Sequence, residues 1–152
     1  MKQVVLLLFF INAFVSLNAQ DQQRQKEFNL EKGVAAKGYD VVAYFKQGKA
    51  VKGSPALAVR YQGITYYFST TANKDEFKTN AAKYEPQYGG WCAYAMGATG
   101  EKVDFDPETF KVINGKLYLF YNRFFTNTLP KWNKDEANLR TKADTNWKKF
   151  NN

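Results

Sequence analysis

Two sulfur-bearing side chains, Cys92 and Met96, are the residues of this chain best suited to bind a soft metal ion. Cys92 is the only cysteine, Met96 is the only methionine besides Met1, and the chain contains no histidine. If this segment is helical, a spacing of four residues places both sulfurs on one face. A thiolate and a thioether together suit Cu(I). The pair therefore predicts a copper-type site, with copper as the possible cofactor, and packing in the core is the alternative.

The same segment carries a glycine pair among large aromatic residues, which predicts a small-ligand site. Glycines let the backbone turn tightly and approach a ligand closely. Tyrosine and tryptophan combine an apolar body with a polar tip, and such residues line pockets and contact surfaces. The predicted ligand-binding residues are Tyr88, Gly89, Gly90, Trp91 and Tyr94.

Two other functions remain open for this segment. Its aromatic residues could form a surface that docks a partner protein, whose identity the sequence does not give. Alternatively, Cys92 could act as a redox sensor, which requires a thiol that solvent can reach. No catalytic residue is predicted, because without histidine Cys92 lacks the usual base that activates a nucleophile. A non-enzymatic module that binds a small ligand or a metal ion is the favoured interpretation.

The N-terminus has the pattern of an export signal. Lys2 precedes an apolar run from Val4 to Val15, and Leu17-Asn18-Ala19 resembles a cleavage site. We therefore expect a signal peptide over residues 1–19 and a protein exported to the periplasm or the extracellular space. Residues 20–32 are polar and rich in glutamine, which predicts a flexible leader before a domain over residues 33–152.

The net charge of +8 does not by itself indicate a nucleic-acid partner. Acidic residues are interspersed with the basic ones, and no block of five or six like charges occurs. No later segment is apolar enough over about 20 residues to span a bilayer. We therefore expect no nucleic-acid partner, and no membrane contact once the signal is removed.

Two hairpins are predicted from turn dipeptides between apolar, β-branched and aromatic runs. Gln62-Gly63 separates runs over residues 57–61 and 64–68, and Asn114-Gly115 separates runs over residues 110–113 and 116–121. Both faces of the last run are apolar, so that strand should be covered on both sides or central in its sheet.

Helices are predicted at three places along the chain. Asp40 could cap a short helical turn, although a short strand is the competing interpretation. Residues 72–83 should form a helix with Thr70 or Thr71 as its cap, and Pro86 should end it. Asn133 to Glu136 resembles a capping box before a C-terminal amphipathic helix. The fold class is therefore α+β, a small single domain of antiparallel hairpins packed with helices.

Several of these motifs resemble the YHS-domain family, and more narrowly its small exported members. The similar stretches span about residues 33–147 and include Gly38-Tyr39-Asp40, Tyr66-Tyr67-Phe68-Ser69 and Asn114-Gly115-Lys116. The resemblance implies a metal role for the thiol-rich branch, which includes domains attached to copper-transporting ATPases. Here the corresponding stretch, residues 68–73, has no thiol, and Val41 stands where the exported group usually has proline. Any metal role must therefore be carried by other residues.

Overall fold

A computed structural model describes residues 19–150 of the chain. The helices are α1 (residues 19–27), α2 (Val41–Lys46), α3 (Thr71–Thr79), α4 (Ala81–Tyr84), α5 (Ala93–Ala98), α6 (Leu129–Lys134) and α7 (Glu136–Lys148). The strands are β1 (Leu30–Glu31), β2 (Val34–Ala35), β3 (Ser54–Tyr61), β4 (Ile64–Phe68), β5 (Asp106–Ile113), β6 (Lys116–Phe120), β7 (Asn122–Arg123) and β8 (Thr126–Asn127). Within these residues, no helix has both the length and the apolar character needed to cross a membrane. The predicted signal peptide lies almost wholly outside the described residues.

The strands form one four-stranded sheet and two separate hairpins. The order in the sheet is β1-β2-β4-β3, and the hairpins are β5-β6 and β7-β8. All of these pairs are antiparallel except β2 with β4, which is parallel. The predicted α+β class is confirmed, with this parallel pair as an addition.

Both predicted hairpins are confirmed. Tyr61 pairs with Ile64 around Gln62-Gly63, and Ile113 pairs with Lys116 around Asn114-Gly115. In each turn both central residues have positive φ, which is the conformation that two-residue hairpins favour. A glycine at the second position adopts this conformation without the steric penalty of a side chain.

Strand β6 separates the two hydrophobic cores of the domain. Leu117 and Leu119 pack into the first core, while Tyr118 and Phe120 pack into the second. The other large members of the first core are Tyr44, Ile64, Tyr66, Phe68, Phe77, Tyr84 and Phe105. Those of the second are Tyr88, Met96, Trp132 and Leu139. The prediction that this strand is covered on both sides is therefore confirmed.

Two helix predictions need correction at their boundaries. The helix predicted over residues 72–83 is divided into α3 and α4, because Asn80 has φ −151° and leaves the helical region. The Thr70 side chain caps α3 by accepting a hydrogen bond from the Asn73 N–H. Before α7 the capping box does not form, since Asp135 is the capping residue and makes no side-chain cap hydrogen bond.

The segment predicted as a leader, residues 20–32, contains most of α1 and all of β1. Its polar side chains bond to the rest of the domain instead of to solvent alone. Gln25 Nε2 donates to the Gly63 carbonyl at 2.8 Å, and Arg24 Nη2 lies 2.5 Å from Glu85 Oε1. Polar composition predicted mobility, but these partners come from distant parts of the chain and are visible only after folding.

The buried Asp40 carboxylate joins three elements. Its Oδ1 accepts from the N–H groups of Val42 (2.9 Å) and Ala43 (3.2 Å), which caps α2. Its Oδ2 accepts from the Ser69 N–H (2.8 Å), the Ser69 hydroxyl (2.6 Å) and Asn73 Nδ2 (2.8 Å). One carboxylate therefore holds the start of α2, the residue after β4 and the first turn of α3.

We expect Asp40→Asn to lower the free energy of unfolding by about 3 kcal/mol, because an amide nitrogen cannot accept and buried donors lose their partner. Urea denaturation would measure the change. Asp75→Asn is the matched control, since the Asp75 side chain is 63% exposed and its loss should cost about 0.5 kcal/mol or less. Equal stability of the two variants would contradict the assigned role.

Candidate ligand-binding groove

The segment singled out from the sequence makes a tight left-handed turn in the structure. Tyr88, Gly89 and Gly90 have φ of 56°, 60° and 83° within the 3-10 turn Gln87–Gly90. This path sends the Tyr88 ring into the second core, where it lies 5.9 Å from the Tyr118 ring. It also brings the Gly89 backbone against α7 and the segment just after α1, where Asn29 N–H donates to the Gly89 carbonyl at 2.9 Å.

A groove of about 490 Å³ opens at this turn, and we call it the Tyr88 groove. Phe28, just after α1, and Trp147 of α7 supply aromatic surface to it, with ring centroids 6.0 Å apart in an edge-to-face arrangement. Tyr88 and Gly89 lie on the lining, and Lys116 at the start of β6 completes it. The groove is therefore built from four segments that are far apart in sequence.

The charged residues of the groove fall into paired and unpaired groups. Arg24 is bound to Glu85, which also accepts a hydrogen bond from the Tyr66 hydroxyl. Within residues 19–150, neither the Lys116 nor the Lys148 ammonium group has a hydrogen-bond or ion-pair partner. Two ammonium groups thus remain available in a largely polar groove that also has aromatic side chains.

Tyr88 is held as a neutral hydrogen-bond donor. Its hydroxyl donates to Asp144 Oδ1 at 2.9 Å. Burial, together with this hydrogen bond and the nearby charge of Asp144, raises the pKa of Tyr88 far above its ordinary value. The phenol therefore ties the turn to α7 and keeps the Asp144 carboxylate occupied.

Three of the predicted ligand residues do not line this groove. Gly90 is the last residue of the turn and lies outside the lining. Trp91 Nε1 donates to the Glu27 carbonyl at 2.7 Å, and the Tyr94 ring lies under the ammonium group of Lys131 at 5.9 Å. Each of these aromatic rings contributes to packing of the second core. The structure thus brings only Tyr88 and Gly89 of the predicted set together at a cavity.

Cys92 and Met96 are both fully buried. The Cys92 sulfur accepts from the Tyr121 N–H at 3.3 Å and lies 3.4 Å from the Thr128 hydroxyl oxygen. Met96 packs in the second core. Burial of both sulfurs favours the packing interpretation and gives a redox-sensing thiol no access to solvent.

The residues of the described chain do not fit a metal ion of the kind that the thiol-rich branch holds. In the stretch 68–73, Ser69 and Asn73 donate to Asp40, so their polar groups are already occupied. Across residues 19–150 no three histidine, cysteine or acidic side chains are grouped as a metal site requires. The copper prediction for Cys92 and Met96 therefore gains no support from the geometry.

Sequence reasoning missed the charged residues of the groove: Arg24, Glu85, Lys116, Asp144 and Lys148. In the sequence alone, each of them looks like an ordinary charged surface residue. Only the position of Lys116, directly after the Asn114-Gly115 turn, was fixed by a strong local signal. The rest converge because α1 and α7 pack on the same turn.

We expect Gly89→Ala to destabilise the fold by at least about 1 kcal/mol more than Gly90→Ala. A Cβ on Gly89 would lie 2.8 Å from the Trp147 ring and 3.1 Å from Phe28, whereas one on Gly90 meets nothing closer than 3.9 Å. Both glycines have positive φ, so the strain of a left-handed backbone is common to the two variants. Chemical denaturation measures the free energy of unfolding of each variant. Equal losses in the two variants would mean that the close approach of α7 to Gly89 does not contribute to stability.

We expect the Cys92 thiol to react with iodoacetamide at least about tenfold more slowly in native protein than in denaturant, because it is fully buried. Mass spectrometry would follow the labelling. An Asp75→Cys variant is the internal control. Its introduced thiol at position 75 should react quickly in the native state, and both that thiol and Cys92 should react quickly in denaturant. Fast native labelling of both would restore the redox-sensor hypothesis.

Comparison with known proteins supports the resemblance over part of the chain. Residues 42–88 match the model of the YHS domain, which covers the segment from α2 to the Tyr88 turn and less than half of the chain. No curated protein and no solved structure matches the chain. Cys92, Met96 and α7 lie outside the matched residues. The segment from Val42 to Tyr88 is therefore similar to the YHS domain.

Proposed function

We propose that this YHS-type protein is a non-enzymatic binding module that holds a small anionic ligand in the Tyr88 groove. The observation that carries the proposal is the pair of unpaired ammonium groups, Lys116 and Lys148, on the rim of a groove with aromatic surface. A ligand with a carboxylate or phosphate group and a flat apolar body matches these two features.

Each part of the groove has a separate task in this proposal. Lys116 and Lys148 would bind the anionic group, while Phe28 and Trp147 would contact the apolar body. The Glu85 carboxylate is neutralised by Arg24, and Asp144 accepts the Tyr88 hydroxyl. The ion pair with Arg24 reduces the repulsion that a bound anion would meet from Glu85, and the Tyr88 hydrogen bond holds the Asp144 carboxylate in place.

We do not propose that Cys92 and Met96 bind a metal ion. A soft metal would need the Cys92 sulfur, which is buried and already accepts a backbone hydrogen bond. The groove instead offers cationic and aromatic groups, which suit an organic anion better than a metal ion.

Export to the periplasm or outside the cell remains part of the proposal and is supported by the N-terminal pattern of residues 1–19.

NMR titration with phenyl phosphate and with inorganic phosphate tests the proposal. We expect phenyl phosphate to shift the Gly89 amide and the Trp147 indole signals, and to bind more tightly than phosphate because only it can contact the rings. Lys116→Gln combined with Lys148→Gln should weaken phenyl phosphate binding about tenfold, equivalent to about 1.4 kcal/mol.

Lys74→Gln combined with Lys78→Gln is the control, because it removes the same charge from α3 and touches none of the groove. That variant should bind within about twofold of the unmodified protein, given the small effect of distant surface charge at physiological salt. If both double variants weaken binding equally, the attraction is only to the net positive charge and the groove is not the site.

A further inference from the structure

The short hairpin β7-β8 presents two phenylalanine side chains to solvent at its apex. Phe124 is 86% exposed and Phe125 is 112% exposed. Among residues 19–150, the one other large apolar side chain that is exposed is Val112, at 36%. We call Phe124 and Phe125 the phenylalanine tip.

Turn chemistry does not account for these residues. Phe124 and Phe125 have φ of 51° and 63°, the left-handed conformation of a two-residue turn. The turns at residues 32–33, 62–63 and 114–115 share that conformation, and each has glycine at its second position. Bulky residues adopt positive φ only at a steric cost. The tip therefore serves neither the core nor the turn, and its side chains are available to something outside the chain.

The shape of the tip favours a lipid surface over a protein partner. The residues beside the tip in both strands are polar: Asn122, Arg123, Thr126 and Asn127. Two phenylalanines offer about 150–250 Å² each. This is well below the roughly 1,200 Å² that a stable protein interface or dimer buries in total. A convex tip of that size needs a matching pocket in a protein, whereas fluid lipid can close around it without one.

The charge around the tip points to the kind of lipid. From Tyr121 to Lys134 the chain contains three basic residues and no acidic residue. Arg123 adjoins the tip, and Lys131 and Lys134 lie on the short helix α6 that follows β8. Arg123 is half exposed and makes one long contact, 3.3 Å, with Asp104. Basic side chains beside an apolar insertion are the groups that anionic headgroups attract.

We propose that the phenylalanine tip inserts into the interface of an anionic lipid surface, with Arg123, Lys131 and Lys134 facing the headgroups. The protein would then lie on a membrane as a peripheral protein, with no segment of α1 to α7 crossing it. This inference differs from the sequence prediction of no membrane contact, which considered spanning segments alone. The proposed lipid binding does not depend on ligand binding in the Tyr88 groove, and each proposal is tested by its own experiment.

Sedimentation with vesicles of equal parts phosphatidylcholine and phosphatidylglycerol tests the proposal, with protein as cells produce it and the N-terminus established by mass spectrometry. The decisive variant combines Phe124→Asn with Phe125→Gly. It recreates the Asn-Gly turn of the β5-β6 hairpin, so its denaturation midpoint should not fall. We expect this variant to partition to the vesicles about tenfold more weakly than the unmodified protein.

Val112→Thr is the matched control, because it removes another exposed apolar group at a distance from the tip, and it should bind as the unmodified protein does. Lys131→Gln with Lys134→Gln should weaken binding to anionic vesicles while keeping the tip. Equal partitioning of the Asn-Gly variant and the unmodified protein would overturn the proposal. Binding to vesicles of phosphatidylcholine alone that is as strong as binding to the anionic vesicles would also overturn it. So would a dimer of the unmodified protein in solution that the combined Phe124→Asn and Phe125→Gly variant does not form.

Discussion

The burial of β6 on both faces is the constraint on which the rest of the structure depends. Alternate residues of this strand enter the two cores, so the strand joins the segment that matches the YHS domain to the C-terminal helices. Its first residue, Lys116, lies at the Tyr88 groove, and its last, Phe120, leads to the hairpin that carries the phenylalanine tip. The two candidate sites therefore lie at opposite ends of one short strand, about 13 Å long at 3.3 Å per residue.

The Cys92 thiol has a structural role at the end of β6. Cys92 precedes α5 and accepts the Tyr121 N–H, directly after β6. The neighbouring Thr128 donates its own N–H and its hydroxyl to the Tyr121 carbonyl, both at 3.0 Å. Cys92, Tyr121 and Thr128 thus close the base of the β7-β8 hairpin. The sulfur that suggested metal chemistry instead satisfies a backbone donor that burial would otherwise leave unpaired.

The close approach of α7 at Gly89 is the second condition for the groove. Because a side chain at this position would collide with Trp147 and Phe28, the glycine lets α7 and the end of α1 meet over the turn. The pairing of Arg24 with Glu85 and of Tyr88 with Asp144 then fixes the polar wall. Affinity for an anion would arise at the edge of this wall, where the Lys116 and Lys148 ammonium groups have no partner among residues 19–150.

The sequence by itself determined the elements whose signals are local. Turn dipeptides predicted both long hairpins and the pairing beside their turns. Asp40 and Thr70 were predicted as helix caps, with a short strand at the first and Thr71 at the second as alternatives, and alternation along β6 predicted burial on both faces. Of the site, it identified Tyr88 and Gly89 because a glycine beside large aromatics is unusual in composition. Only the tertiary structure decided that the polar segment 20–32 docks, that Cys92 is buried, and that Lys116 and Lys148 share a groove. These outcomes depend on contacts between residues far apart in the chain, and such contacts leave no periodic or local pattern for a sequence to display.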